Sequence, residues 1–335
     1  DAYKRGNSAT DDATDTYDSI EWLVKNVDNN NGNVGMWGTS YPGYYTSVGA
    51  INSHPALKAI SPQAPIADWF FDDFHRNGAF VTPMAFIFFD TFDKQRDGQF
   101  AYWPKGMDQV TPDGYQFFKD LGPLTNVNED YFNGERPFWN EIIAHPNYDD
   151  YWQSRDLLQH LSKTKPATLV VGGWYDTEDL YGPLYTYQTM SQKNSQSHIK
   201  LVMGPWSHGQ WNSTKGGASL GEANFGFDTS AWFQKEVLLP FFKQHLKGEG
   251  EANLATATMF ETGSNRWKKF DTWPPKAGNV QTLYLGNNEQ LLDGNTSKGA
   301  SEYISDPNKP VPHSAKVSRG WDKPYMVEDQ RFAAR

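Results

Sequence analysis

Apolar residues recur at helical spacing over residues 13–27, ATDTYDSIEWLVKNV, where Tyr17, Ile20, Leu23, Val24 and Val27 form one stripe behind an acidic start. This predicts an amphipathic helix. The turn-rich NNNGN then gives way to VGMW, residues 34–37, a short apolar run bounded by glycine that predicts a buried strand. GTSYPG leads from it into a helical YYTSVGAINS, and ALKAISPQAP, residues 56–65, predicts a second strand. Continuous apolar runs return in ATLVVGGW, residues 167–174, and HIKLVMGPW, residues 198–206, separated by a helix-length segment, as a parallel sheet requires. SAWFQKEVLLPFFKQHLKG, residues 230–248, reads as an amphipathic helix ended by glycine.

Two stretches break this alternation. Residues 74 to about 160 are rich in aromatics, prolines and short helical patches such as DGYQFFKDLG and FWNEIIAHP, which predicts an inserted helical lid. From about residue 253, TATMFETG, NVQTLYLG and many Gly, Asn and Pro predict an all-β unit. The expected organisation is an α/β core over 1–73 and 163–250, a helical cap over 74–162 and a β domain over 251–335. No internal repeat is visible.

Composition narrows the function classes. A chain of 335 residues exceeds one compact core, and 13 Trp, 17 Tyr and 21 Phe supply both cores and an aromatic-lined pocket. A net charge of −10 without a cluster of Lys and Arg among aromatics argues against nucleic acid as a partner. The absence of cysteine removes disulfides, thiolate metal sites and a cysteine nucleophile. No apolar run reaches the roughly 18 residues needed to span a bilayer, so no membrane partner is expected.

Strand, tight turn, serine, helix is the setting of a nucleophile elbow. Here VGMW is the strand, Gly38 precedes Ser40 by two positions, and Tyr41 supplies the next backbone N–H. Pro42 stands where the generic pattern has glycine, but it falls in the first helical turn, where a fixed φ and a missing N–H are tolerated. Gly43 can provide the close helix packing. Read on for a base and its orienter, the chain offers Asp176 in GGWYDTED and His208 in GPWSHGQW, each just after a predicted core strand. In that arrangement Ser40 attacks a carbonyl, His208 carries the proton and Asp176 holds the imidazole. Of the other histidines, His54, His160, His198, His245 and His313 read as surface residues, and His75 and His145 as packing residues at the lid. No His pair at ligand spacing supports a metal, and no cofactor is expected.

GTSYPG, DDFHRNGAF, GGWYDTEDLYG and GPWSHGQW together resemble the α-amino acid ester hydrolases, in the wider group of bacterial cocaine esterase, glutaryl acylases and X-Pro dipeptidyl-peptidases. The resemblance runs from about residue 14 to about residue 275. It implies an α/β-hydrolase fold with an inserted helical cap followed by a jelly-roll domain, a triad on Ser40, Asp176 and His208, and an oxyanion donor at the Tyr41 N–H. It also implies a carboxylate cluster that holds the substrate's α-ammonium group, at Asp73, Glu178 and Asp179, with Asp72 as the alternative to Asp73. Carboxylates in a partly dry pocket favour such a cation over a neutral acyl group. Glu178 and Asp179 have a plainer reading too, as acids at the start of the helix DLYGPLYTYQTM.

Only 33 residues precede Val34, so the chain is expected to be a fragment lacking the first strands and the tyrosine that donates the second oxyanion hydrogen bond. The β unit is likewise short for a whole jelly roll. The expected function is a serine hydrolase or acyltransferase acting on esters or amides of α-amino acids, of the β-lactam antibiotic side-chain type, with a small amino-acid ester, amide or short peptide as partner. The alternatives are an X-Pro dipeptidyl-peptidase, a general carboxylesterase, or a binding module with a vestigial triad. The resemblance alone implies a periplasmic or secreted location and self-association.

Overall fold

The computed structural model describes residues 11–94, 98, 111–194, 198–276, 278–287, 290–294, 299–300, 302–319 and 323–334. Helix α1 (Asp12–Asn26) opens on a reciprocal cap, Thr14 N–H donating to Asp11 Oδ1 at 2.8 Å and Asp11 N–H to Thr14 Oγ1 at 2.7 Å. Ala13 and Ile20 face the core, whereas Leu23 and Val27 of the predicted stripe lie exposed. Strand β1 (Val34–Thr39) runs into α2 (Tyr41–Gly49), and β2 (Leu57–Gln63) follows. A π-helical turn, Phe70–Phe74, leads to the ribbon β3 (His75–Arg76) and β4 (Ala79–Phe80), then to α3 (Thr82–Phe92), α4 (Gly114–Leu121), α5 (Pro137–Ala144) and α6 (Asp150–Gln153). The chain returns with β5 (Ala167–Gly173), α7 (Tyr181–Lys193) and β6 (Ile199–Gly204).

A ribbon of β7 (Ser219–Leu220) and β8 (Ala223–Asn224) precedes α8 (Thr229–Phe233), a π turn over Gln234–Leu238, and α9 (Leu239–Lys247). The sequence predicts one helix here, and the π turn has a local cause. Pro240 has no N–H and its ring excludes the usual carbonyl partner, so the hydrogen-bond ladder widens just before it. Gly248, at φ 67°, ends the helix as expected.

The central sheet has the order β1–β2–β5–β6–β9–β10, with β9 (Ala257–Glu261) parallel to β6 and β10 (Arg266–Phe270) antiparallel at the edge. Here the structure departs from expectation: TATMFETG belongs to this sheet and not to a separate β unit. Its short run, flanked by turn residues, carries no mark of its partner, but Ala257 and Met259 pair with Leu201 and Met203 and are buried with them. Among the described residues after Phe270, regular structure consists of the ribbon β11 (Tyr284–Leu285) and β12 (Leu291–Leu292) and two 3-10 turns.

Successive residues of the inner strands alternate between two cores, as the period of two demands. Val170, Leu201 and Met203 pack with Ile20, Val48, Tyr187 and Met190 on one face. Leu169, Val171 and Val202 pack with Phe233, Val237 and Phe241 on the other. A third cluster, built from Phe74, Phe86, Phe89, Phe132, Trp139 and Trp152, lies within the stretch expected to be a helical lid. No described helix is long and apolar enough to cross a membrane.

Candidate active site

The carboxyl ends of the parallel strands carry the chemistry, where loops of an open α/β sheet converge on a crevice. Ser40 follows β1 directly, in a left-handed conformation (φ 68°, ψ −128°) rarely adopted by non-glycine residues. Two glycines make this turn feasible. A Cβ on Gly38 would sit 2.5 Å from the carbonyl carbon and oxygen of Pro42, and one on Gly43 would sit 2.5 Å from the carbonyl oxygen of Gln63. Ser40 N–H donates to that same Gln63 oxygen at 2.9 Å. The first helical hydrogen bond of α2 runs from Tyr44 N–H to Ser40 O, which leaves the Tyr41 N–H beside the serine without an intrahelical acceptor.

Asp176 lies three residues past β5, and His208 four residues past β6. The imidazole Nδ1 is 2.9 Å from Asp176 Oδ2 and 3.1 Å from Oδ1. Asp176 Oδ1 also accepts from the N–H groups of Glu178 (2.9 Å) and Asp179 (3.0 Å), so one carboxylate both orients the histidine and shapes the loop. The loop after β6 folds back over the sheet: Trp211 Nε1 donates to Gln63 Oε1 at 2.8 Å, and Thr39 Oγ1 donates to Asn212 Oδ1 at 2.9 Å. The loop that bears His208 is thereby held against Thr39, the residue before Ser40.

The acidic residues of the resemblance gather here. Asp73 is buried on the π turn, and Glu178 and Asp179 are buried on the loop after β5. Asp72 is accounted for elsewhere, because its carboxylate accepts from the N–H groups of Ala67, Asp68 and Gly182. It thus ties the start of α7 to the π turn, and Glu178 and Asp179 do not cap that helix. Both carboxylate oxygens of Asp179 are buried without a hydrogen-bond partner. Glu178 Oε2 lies 3.2 Å from His208 Nε2, off the N–H axis, and so makes a charge contact but no hydrogen bond.

Burial pushes the Asp73 and Asp179 carboxyls well above their ordinary range, and the acids around them add to it: Glu178 and Asp72 act on Asp73, and Asp73 and Glu178 act on Asp179. Burial also raises Glu178, against the pull of His208. Asp72 is pushed up to about 7 by burial, against its three backbone hydrogen bonds. For His208, burial disfavours the cation, yet Asp176 and then Glu178 outweigh it and raise the imidazole to about 9.

Glu178, Asp179 and His208 also have ligand atoms within 4.8 Å of one another. Two residues escaped the sequence reading. Arg76 reaches across to the loop after β5, and Lys323 Nζ donates to the His208 carbonyl at 2.8 Å. His54, expected at the surface, is buried, with Nε2 2.7 Å from Glu21 Oε2 and Nδ1 accepting from Ala56 N–H. His75 stacks on Phe70 at 3.8 Å and His145 on Tyr151 at 4.4 Å, which are packing contacts.

A mostly parallel sheet with helices on both faces, a serine on a strained strand-to-helix turn and a histidine–aspartate pair at the same edge define an α/β-hydrolase-like protein. Residues 5–210 match the X-Pro dipeptidyl-peptidase (S15) family, and the chain belongs to that family. It is 26% identical over 335 residues to the cocaine esterase of Rhodococcus sp. (strain MB1 Bresler), covering 90% of this chain and 54% of that one. Its fold is similar to an aminopeptidase from the marine sediment archaeon Thaumarchaeota archaeon (TM-score 0.87, 33% identity, 99% of this chain and 55% of that one). It is equally similar to an α-amino acid ester hydrolase (TM-score 0.87, 34% identity, 98% and 55%). The chain spans about half the length of the curated relatives it matches.

Proposed function

We propose that this chain carries the reaction centre of a serine hydrolase for esters or amides of acyl groups that bear a free α-amine. The observation that carries the reading is the buried carboxylate of Asp179, which accepts no hydrogen bond and has only a 3.9 Å charge contact with His208 Nδ1, among Asp73 and Glu178 beside the Asp176–His208 pair. Buried acids that accept no hydrogen bond are costly, and a substrate ammonium group supplies donors and positive charge beyond what His208 and Arg76 provide.

In the reaction, Ser40 Oγ attacks the acyl carbonyl as its proton passes to His208 Nε2, and Asp176 steadies the imidazolium through Nδ1. The Tyr41 N–H, aided by the N-terminus of α2, stabilises the developing oxyanion. His208 returns the proton to the departing alcohol or amine, leaving an acyl-enzyme, which water or an amine nucleophile then takes apart by the same steps in reverse. The aminopeptidase and X-Pro dipeptidyl-peptidase relatives favour a second substrate of the same chemistry, since a peptide N-terminus is also an α-ammonium.

The test compares kcat/KM of the full-length protein for phenylglycine methyl ester and phenylacetic acid methyl ester, which differ in the amine alone. A preference of about tenfold or more for the amine is expected, to be lost in Asp179→Asn, while Ser40→Ala abolishes turnover with the fold intact. Equal rates on the two esters would make the protein a general esterase. Cleavage confined to an Xaa-Pro anilide would select the peptidase reading.

A further inference from the structure

The acidic cluster is assembled from two segments about a hundred residues apart, and Arg76 joins them alongside the bond from Gly182 N–H to Asp72. Its guanidinium donates to five main-chain carbonyls: Nη1 to Phe71 (3.4 Å), Asp72 and His75 (3.2 Å), and Nη2 to Thr177 (3.2 Å) and Glu178 (2.8 Å). The first group belongs to the turn that bears Asp73, the second to the loop that bears Glu178 and Asp179. Among the described residues no carboxylate pairs with it, although Asp72, Asp73 and Glu178 all lie within reach of its charge. Asp73 and Glu178 are therefore partly balanced by a charge that takes up none of their oxygen lone pairs, whereas Asp72 already spends its own on backbone N–H groups. Only a rigid, many-donor fork can hold carbonyls on both sides at once; a lysine ammonium is a point charge and cannot.

We propose that Arg76 is a positioning residue that fixes the spacing between Asp73 and the Glu178–Asp179 pair, and so sets the selectivity for α-ammonium acyl groups. This inference rests on the amine-binding reading above.

The experiment measures kcat and KM of wild type, Arg76→Met and Arg76→Lys in the full-length protein, with phenylglycine methyl ester and phenylacetic acid methyl ester. Arg76→Met is expected to raise KM for the amino ester by about tenfold or more, while kcat/KM for the des-amino ester changes by less than about threefold. Arg76→Lys keeps the charge and should restore the preference in part only. Parallel losses on both esters would mark a merely structural residue and overturn the proposal, as would an unchanged preference in Arg76→Met. A wild-type protein without any amine preference overturns the amine-binding reading, and this inference with it. Should Arg76→Met fail to fold, Arg76→Lys decides, because a full wild-type preference in that variant contradicts the need for a fork.

Discussion

His208 stands between two acids with opposite consequences for catalysis. Asp176 holds Nδ1, which orients the ring, whereas Glu178 lies beside Nε2, the atom that takes the serine's proton in the proposed mechanism. Both stabilise the imidazolium, so in the free enzyme the base is already protonated below about pH 9. Raising the pH toward that value unmasks it. For phenylacetic acid methyl ester, which has no amine of its own to titrate, kcat/KM should climb roughly tenfold per pH unit until it levels near the imidazole value. Glu178→Gln removes one of the charges that favour the cation and should move the rise toward lower pH; a profile that stays where it is would show that Glu178 does not act on the histidine. An ammonium bound at Glu178 would act in the same direction as the mutation, coupling substrate capture to release of the base.

At the scale of elements, the site depends on how closely α2 is pressed on the strand ends. Gly43 packs against the Gln63 carbonyl, which is backbone and also accepts the Ser40 N–H. Gly43→Ala must therefore displace either the helix or β2. A loss of about 1–3 kcal/mol in stability is expected with a larger loss in kcat, read by urea unfolding and steady-state kinetics. A variant as stable as wild type would mean that the turn relaxes freely. The turn and the two strand-end residues were legible in sequence because glycine spacing and Val-rich runs leave a signature of residue type. Arg76 and Lys323 were not, since their partners are main-chain carbonyls, which look alike in every residue. The anchoring of Asp72 likewise needed coordinates, as only the fold brings the Gly182 N–H to it. Strand β9 was misplaced because a five-residue run shows its period and not its neighbour, and His54 because its acid partner lies 33 residues away.

For the whole molecule, the acid cluster opposes stability. A carboxyl whose folded-state pKa is raised binds its proton more tightly folded than unfolded, so its contribution is present in acid and is lost as pH rises through the folded value. Asp73 and Asp179 both have this sign, and so does His208, whose share is lost toward pH 9. Asp179→Asn removes a buried carboxyl whose ionisation the folded state opposes. We expect it to raise Tm at neutral pH, by roughly 2–4 °C for each kcal/mol relieved, while abolishing amine preference. Calorimetry at mildly acidic and mildly alkaline pH checks this, and a lower neutral-pH Tm than wild type would contradict it.

The π turn that bears Asp73 is anchored through Phe70 and Phe74 in the third aromatic cluster, whereas Ser40, Asp176 and His208 stand at the ends of sheet strands. Under the proposed function, Asp73 alone of the acid cluster is thus carried by a stretch of chain remote from the triad, since Glu178 and Asp179 share the loop of Asp176. Under that reading, substitutions at Phe86, Phe132 or Trp139 should shift Asp73, and with it the range of accepted acyl groups, while leaving Ser40, Asp176 and His208 in place. A lineage built this way can change its diet by repacking aromatic rings far from the serine.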